Sequence, residues 1–209
     1  MRTEIINIYQ YSELSEKAKQ KAREWWRECA NSDGDFADCV YEDAANMADI
    51  FGLDINTRRG DSGNYSPNIY YSGFFSQGDG ACFEGIYKYK AGALKAIKVE
   101  APQDTELHRI VKALQDAQKK VFYRATARTK HRGHYYHSGC MDVDVDLVND
   151  LKKFSELEHE ITQAMRDFAD WIYKQLKSAY DWENADEQVV ESIEANEYEF
   201  LESGARARA

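Results

Sequence analysis

Between Leu157 and Ala179 apolar residues recur every three or four positions, at Leu157, Ile161, Met165, Phe168, Ile172, Leu176 and Ala179. Only an α-helix gathers that spacing onto one stripe. Ser155 and Glu158, three residues apart, have the capping-box pattern that opens a helix by satisfying its first free N–H groups. A stripe this long is unstable in water until a comparably large apolar surface covers it, so the rest of the chain has to supply one.

Shorter helices follow the same rule. Leu14, Ala18, Ala22, Trp25 and Cys29 form one stripe, and Phe36, Val40, Ala44, Met47 and Phe51 a second, with Gly52 where a left-handed cap is expected. Ala91 to Val99 is predicted as a short helix that Pro102 ends. Leu107, Ile110, Val111, Leu114, Ala117 and Val121 mark a helix capped by Asp104 or Thr105, and Val189, Val190 and Ile193 mark a last one. From Leu53 to Tyr89 the period falls to two, with Ile55, Ile69, Tyr71, Phe75, Phe83 and Tyr87 alternating with smaller or polar residues, so these are strands. Phe122 to Lys130 and Cys140 to Leu147 are predicted to form a further hairpin. Glu4 to Tyr9 and Tyr198 to Phe200 are expected to open and close the chain as strands.

Together these elements predict an α+β fold, an antiparallel sheet of about five to six strands packed by four to five amphipathic helices. With 209 residues, only two prolines and no low-complexity tract, one domain over 1–209 is expected, its small basic tail 204–209 flexible.

The formal net charge of −10 repels a phosphate backbone, which disfavours direct nucleic-acid binding and favours basic protein surfaces, metals or small solutes. A local basic patch at Arg124, Arg128, Lys130 and Arg132 remains able to hold an anion. No run of about 18 apolar residues, leader or lipidation signal is visible, so no membrane association is expected and the cytoplasm of a host cell is the expected location. Cys29, Cys39, Cys82 and Cys140 lack C-x-x-C spacing and read as buried thiols in a reducing compartment. Trp25, Trp26, Trp171 and Trp182 read as core or core-edge residues, any exposed member pointing to an interface.

Two segments could carry chemistry. Ser76-Gln77-Gly78-Asp79-Gly80 has hairpin-loop composition. It lacks the lysine and following helix of a phosphate loop, so its plainer role is a turn in which Asp79 caps its own backbone. Ser76, Gln77 and Asp79 are its candidate partner-binding residues, joined by the acidic helix positions Asp35, Asp38 and Glu42 and by Glu183, Asp186 and Glu187.

The second segment holds His131, His134 and His137, then Cys140, Asp142, Asp144 and Asp146. Imidazole, thiolate and carboxylate at short spacing suit a divalent metal, with His131, His134, His137 and Asp142 as candidate ligands. The alternative is local stacking by the histidines. Asp142, Asp144 and Asp146 would then face Arg124, Arg128 and Lys130 across the hairpin, while Met141, Val143 and Val145 turn the other way. No G-x-S-x-G elbow or Cys–His signature accompanies either segment, so no catalytic residue is assigned and no cofactor is expected beyond a possible divalent metal.

Three stretches together resemble a group of uncharacterised proteins of tailed phages and prophages. They are Tyr9-Gln10-Tyr11-Ser12-Glu13-Leu14-Ser15 with Ala18, Lys19, Lys21, Ala22 and Arg23; Tyr71 through Ala81 (YSGFFSQGDGA); and Ala195-Asn196-Glu197-Tyr198-Glu199-Phe200. The resemblance carries no activity. What it implies is a setting, in which a small acidic phage protein acts as a non-enzymatic inhibitor that binds and blocks a host defence protein of the CRISPR kind, whose nucleic-acid channel is basic. A metal-dependent hydrolase using the His131-to-Asp146 segment and an antitoxin-like regulatory partner are the alternatives.

Overall fold

The computed structural model describes residues 6–30, 36–59, 63, 65–147 and 154–207. Its architecture is α+β. Six α-helices and ten strands lie among these residues, with every strand pairing antiparallel. The strands form one four-stranded sheet and three two-stranded ladders. The chain divides into two compact units, residues 1–37 with 178–209 and residues 38–177, and both boundaries fall inside helices.

The first unit is made from the two ends of the sequence. Strand β1 (Tyr9–Gln10) pairs with β10 (Glu199–Phe200), and helix α1 (Glu16–Ala30) packs on α6 (Asp186–Ala195). Their stripes meet in a core of Tyr11, Leu14, Ala18, Ala22, Val189, Ile193 and Phe200. Trp25 lies edge-on to Tyr198 and Phe200. The basic tail is described as far as Ala207 and makes contacts within this unit. The Arg206 guanidinium sits over the Tyr198 ring at 4.7 Å and donates to the Glu199 carbonyl, and the Ala207 N–H bonds the same carbonyl. Cation–π attraction and a backbone bridge to Phe200 give those residues partners that a sequence scan does not weigh. Residues 208–209 lie outside the described residues.

The second unit holds helix α2 (Phe36–Phe51) from residue 38 on, the strands β2 to β9, α3 (Ala93–Glu100), α4 (Thr105–Lys119) and α5 (Phe154–Glu183) up to residue 177. Phe168 of α5 is its packing centre, edge-on to Phe51 at 5.0 Å and to Phe83 at 5.6 Å, and stacked on Trp171 at 5.4 Å. The side chain of Asp104 caps α4 by accepting from the Leu107 N–H. Its other oxygen accepts from the Trp171 indole at 2.7 Å, so one carboxylate fixes two helices. The buried stripe of α2 is Ala37, Tyr41, Ala44, Ala48 and Phe51. It is turned from the expected one, with Val40 and Met47 only half-buried. Gly52 ends α2 at φ +91°, and a side chain there would come within 2.1 Å of the Lys88 carbonyl oxygen. The left-handed cap expected at this position is therefore present.

Three long strands change partners. β2 (Leu53–Ile55) and β3 (Thr57–Arg59) are one strand interrupted at Asn56, as are β4 (Tyr65–Pro67) and β5 (Ile69–Ser72) at Asn68, and β6 (Gly80–Phe83) and β7 (Gly85–Lys88) at Glu84. The four-stranded sheet runs β2-β7-β8-β9, with β8 (Thr126–His131) and β9 (Met141–Asp146), whereas β3 pairs with β4 and β5 with β6. Backbone bonds among Asn56, Asn68 and Glu84 join the ladders at the exchange point, and the Asn68 side chain donates to Glu84 at 2.8 Å. The β8–β9 register sets Arg128 against Asp144 and Lys130 against Asp142 on the exposed face, and Ala127 against Val145 on the buried one.

No disulfide joins the cysteines. Only Cys82 is buried; Cys140 is half-buried, Cys29 is exposed in the last turn of α1 beyond the buried part of its stripe, and Cys39 is exposed on the face of α2 away from its buried stripe. No described helix is long and apolar enough to cross a membrane.

Candidate functional site

The 73–79 loop joins β5 to β6 and is held by its own aspartate. Asp79 accepts from the backbone N–H groups of Phe75 (2.9 Å) and Ser76 (2.7 Å), and its own N–H donates to the Ser76 carbonyl. This is the backbone capping that an aspartate in a turn supplies. Gly78 provides the positive φ of +94° that closes the turn. From α5, the Tyr173 hydroxyl donates to the Gly73 carbonyl at 3.0 Å. Burial, helped by the Asp79 charge, holds that hydroxyl above the usual phenol range. Ser76 and Gln77 project from the tip, beside Phe75, which is 80% exposed.

The 132–140 loop joins β8 to β9 and is held by its histidines. The His131 ring bonds the Tyr135 carbonyl (3.1 Å) and packs against Tyr136, which stacks on Tyr70 at 5.4 Å; the Arg58 guanidinium lies over the Tyr70 ring at 4.6 Å. His134 lies edge-on to Tyr135, itself 60% exposed. His137 accepts from the Gly139 N–H at Nδ1, which places the ring proton on Nε2. That Nε2 lies 3.3 Å from the Cys140 sulfur. In this tautomer the ring donates to sulfur, so the pair lacks the geometry of a base activating a nucleophile.

The two loops meet at Gly80. A Cβ there would lie 2.5 Å from the His137 Cβ and 2.8 Å from its Cα, and one at Gly78 would approach the Tyr135 ring. The two segments singled out in the sequence therefore form one surface, with Phe75 and Tyr135 as its exposed rings.

Residues 36–186 match the family described as Domain of unknown function (DUF8835). The chain belongs to this family. Both loops, and all of the second unit from residue 38 to 177, fall inside the DUF8835 match. No curated protein and no solved structure matches the chain.

The DUF8835 region does not gather the four candidate metal ligands. Among the described residues no group of three or more His, Cys, Asp or Glu is placed to hold a metal ion. His131 and His137 are engaged by the loop backbone, and Asp142 pairs with Arg132 at 3.2 Å. Of the acidic candidates, Asp38 and Glu42 are exposed on α2, Glu187 is exposed on α6, and Glu183 is half-buried; Asp35 lies outside the described residues. Asp186 is tied to Arg27 at 2.5 Å and to Arg23 at 3.5 Å, within the first unit. Phe75 was expected to pack as a strand residue because it falls in the alternating run, and Tyr135 and Tyr136 were eclipsed by the histidines and cysteine beside them in their loop. Their signal was the density of aromatic residues inside two loops that turn chemistry alone would have filled with small polar ones.

Proposed function

We propose that this protein works by binding another protein through the joined 73–80 and 131–140 loops, and that the partner is a basic-surfaced host defence protein which it blocks stoichiometrically. The observation that supports this reading is the pair of exposed rings, Phe75 and Tyr135, on loops already pinned by Asp79, His131 and His137. Rigid exposed aromatics give binding energy with little ordering cost, and such residues dominate interface hot spots. The net charge of −10 favours a basic partner and speeds encounter with it. The phage setting rests on the sequence resemblance alone.

Affinity capture of the tagged chain from phage-infected cells, followed by calorimetry with the purified partner, tests the reading. One-to-one binding is expected, and Phe75→Ala with Tyr135→Ala should weaken it by about thirtyfold per hot-spot ring, at unchanged Tm. A partner that binds the double variant as tightly as the parent removes the loops from the interface. Failure to recover any specific partner removes the protein-binding reading itself.

A further inference from the structure

Charge is sorted along this acidic chain. Segments 88–99 and 117–141 hold ten of its 27 lysines and arginines and none of its 37 aspartates and glutamates. The fold places the two segments side by side, since Lys88 of β7 pairs with Thr126 of β8 and the Tyr89 ring packs on Tyr123 at 4.3 Å.

At that junction the backbone takes a rare form. Phe122 and Tyr123 follow α4 with φ of 53° and 62°. Bulky L-residues seldom enter that region. The turn persists because it is bracketed. The Tyr123 N–H bonds the Gln118 carbonyl (2.8 Å), and the fully buried Gln118 side chain bonds both backbone groups of Ala125. What the bracket presents is two aromatic rings, Phe122 81% and Tyr123 43% exposed. Strain of this sort, at a turn whose two side chains stand largely outside the core, marks a surface with a task.

Tyr89 and Lys90 line a small cleft that shares Gln115 with an open hollow of about 430 Å³, whose other lining residues include Leu94, Lys95, Lys98 and Val99. That is within the range of small-ligand sites. Among the described residues Lys95 and Lys98 have no ion-pair partner. Lys90, Lys119 and Lys120 are paired with Asp49, Asp116 and Glu160, but each lysine side chain is about half exposed. Exposed pairs of this kind are weak enough to exchange for another anion.

We propose that this surface binds single-stranded nucleic acid, with bases stacking on Phe122 and Tyr123 and the backbone running along Lys95 and Lys98. Exposed rings beside unpaired lysines suit such binding, whereas an acidic peptide would need the cations but not the flat rings. The surface is separate from the Phe75 and Tyr135 loops and goes beyond the protein-binding reading.

Fluorescence anisotropy with a labelled oligothymidylate of about 15 nucleotides, at about 50 mM and about 200 mM salt, tests it. The full chain should bind at roughly 10 µM or tighter at the lower salt and weaken steeply at the higher. Phe122→Gly with Tyr123→Gly removes the rings while suiting the left-handed backbone, so Tm should hold while affinity falls by at least about tenfold. Lys95→Glu with Lys98→Glu should also weaken binding and flatten its salt dependence. Absence of binding at the lower salt, an affinity unchanged in the glycine variant, or tighter binding of an oligoglutamate probe would each overturn the proposal.

Discussion

Gly80 decides whether the two loops can share a surface. Its missing side chain lets β6 lie against His137, and the atoms an added Cβ would meet, at 2.5 and 2.8 Å, belong to the base of that residue rather than to a movable tip. Neither strand can yield without disturbing a ladder, β5 to β6 on one side and β8 to β9 on the other. Gly80→Ala should therefore cost about 1–3 kcal/mol, as overpacking does, and part the loops. Urea denaturation measures the first effect and partner affinity the second. A variant of unchanged midpoint would mean that the loops move apart freely. The contact was not legible in the sequence: glycines at 78 and 80 look alike there, yet Gly78 is needed for its φ of +94° and Gly80 for its closeness to another loop. Asp79 was legible, because an aspartate between turn glycines has its own backbone donors within reach.

Among the elements, those with a one-sided stripe were read well. The stripes of α4 and α5 matched burial, except that Ala179 near the end of α5 is only half-buried, because each helix has water on one side and a large core on the other. The strand region was recognisable, but its exchange of partners at Asn56, Asn68 and Glu84 was not, since a residue where pairing switches has no composition of its own. Phe122 and Tyr123 were expected to open β8, as aromatic residues favour strands. They turn instead, because Gln118 reaches seven residues ahead and takes both backbone groups of Ala125, delaying the strand to Thr126. Burial pushes the nearby Tyr87 hydroxyl up to about 12, against an opposing effect of the Gln118 side chain. Gln118→Ala would strand two buried backbone groups, costing about 2–4 kcal/mol at roughly 1–3 each with some relaxation. It should lower the urea midpoint and shift the Tyr123 amide in NMR spectra. An unmoved midpoint would show that the turn stands without its bracket.

At the scale of the molecule, the first unit joins residues nearly two hundred positions apart, and its strands of two residues each were too short to announce their pairing. Its one charged clasp among the described residues that joins α1 to α6 is Arg27 and Arg23 on Asp186. The Arg27 hydrogen bond, then the two positive charges, hold the Asp186 carboxyl below its ordinary range despite an opposing effect of burial. A depressed carboxyl stabilises the folded chain at pH values above the unfolded value of about 3.9, where the unfolded state first takes up the proton. That contribution shrinks as pH falls and is gone once the folded carboxyl is also protonated. The Asp186 side chain is 64% exposed. Solvent screening therefore limits the clasp to at most about 1 kcal/mol. Asp186→Asn should melt slightly below the parent at pH 7 and together with it near pH 2, with the gap closing below about pH 4. Scanning calorimetry of the pair across that range decides the matter. A gap that stays constant down to pH 2 would assign the loss to packing of the amide rather than to charge.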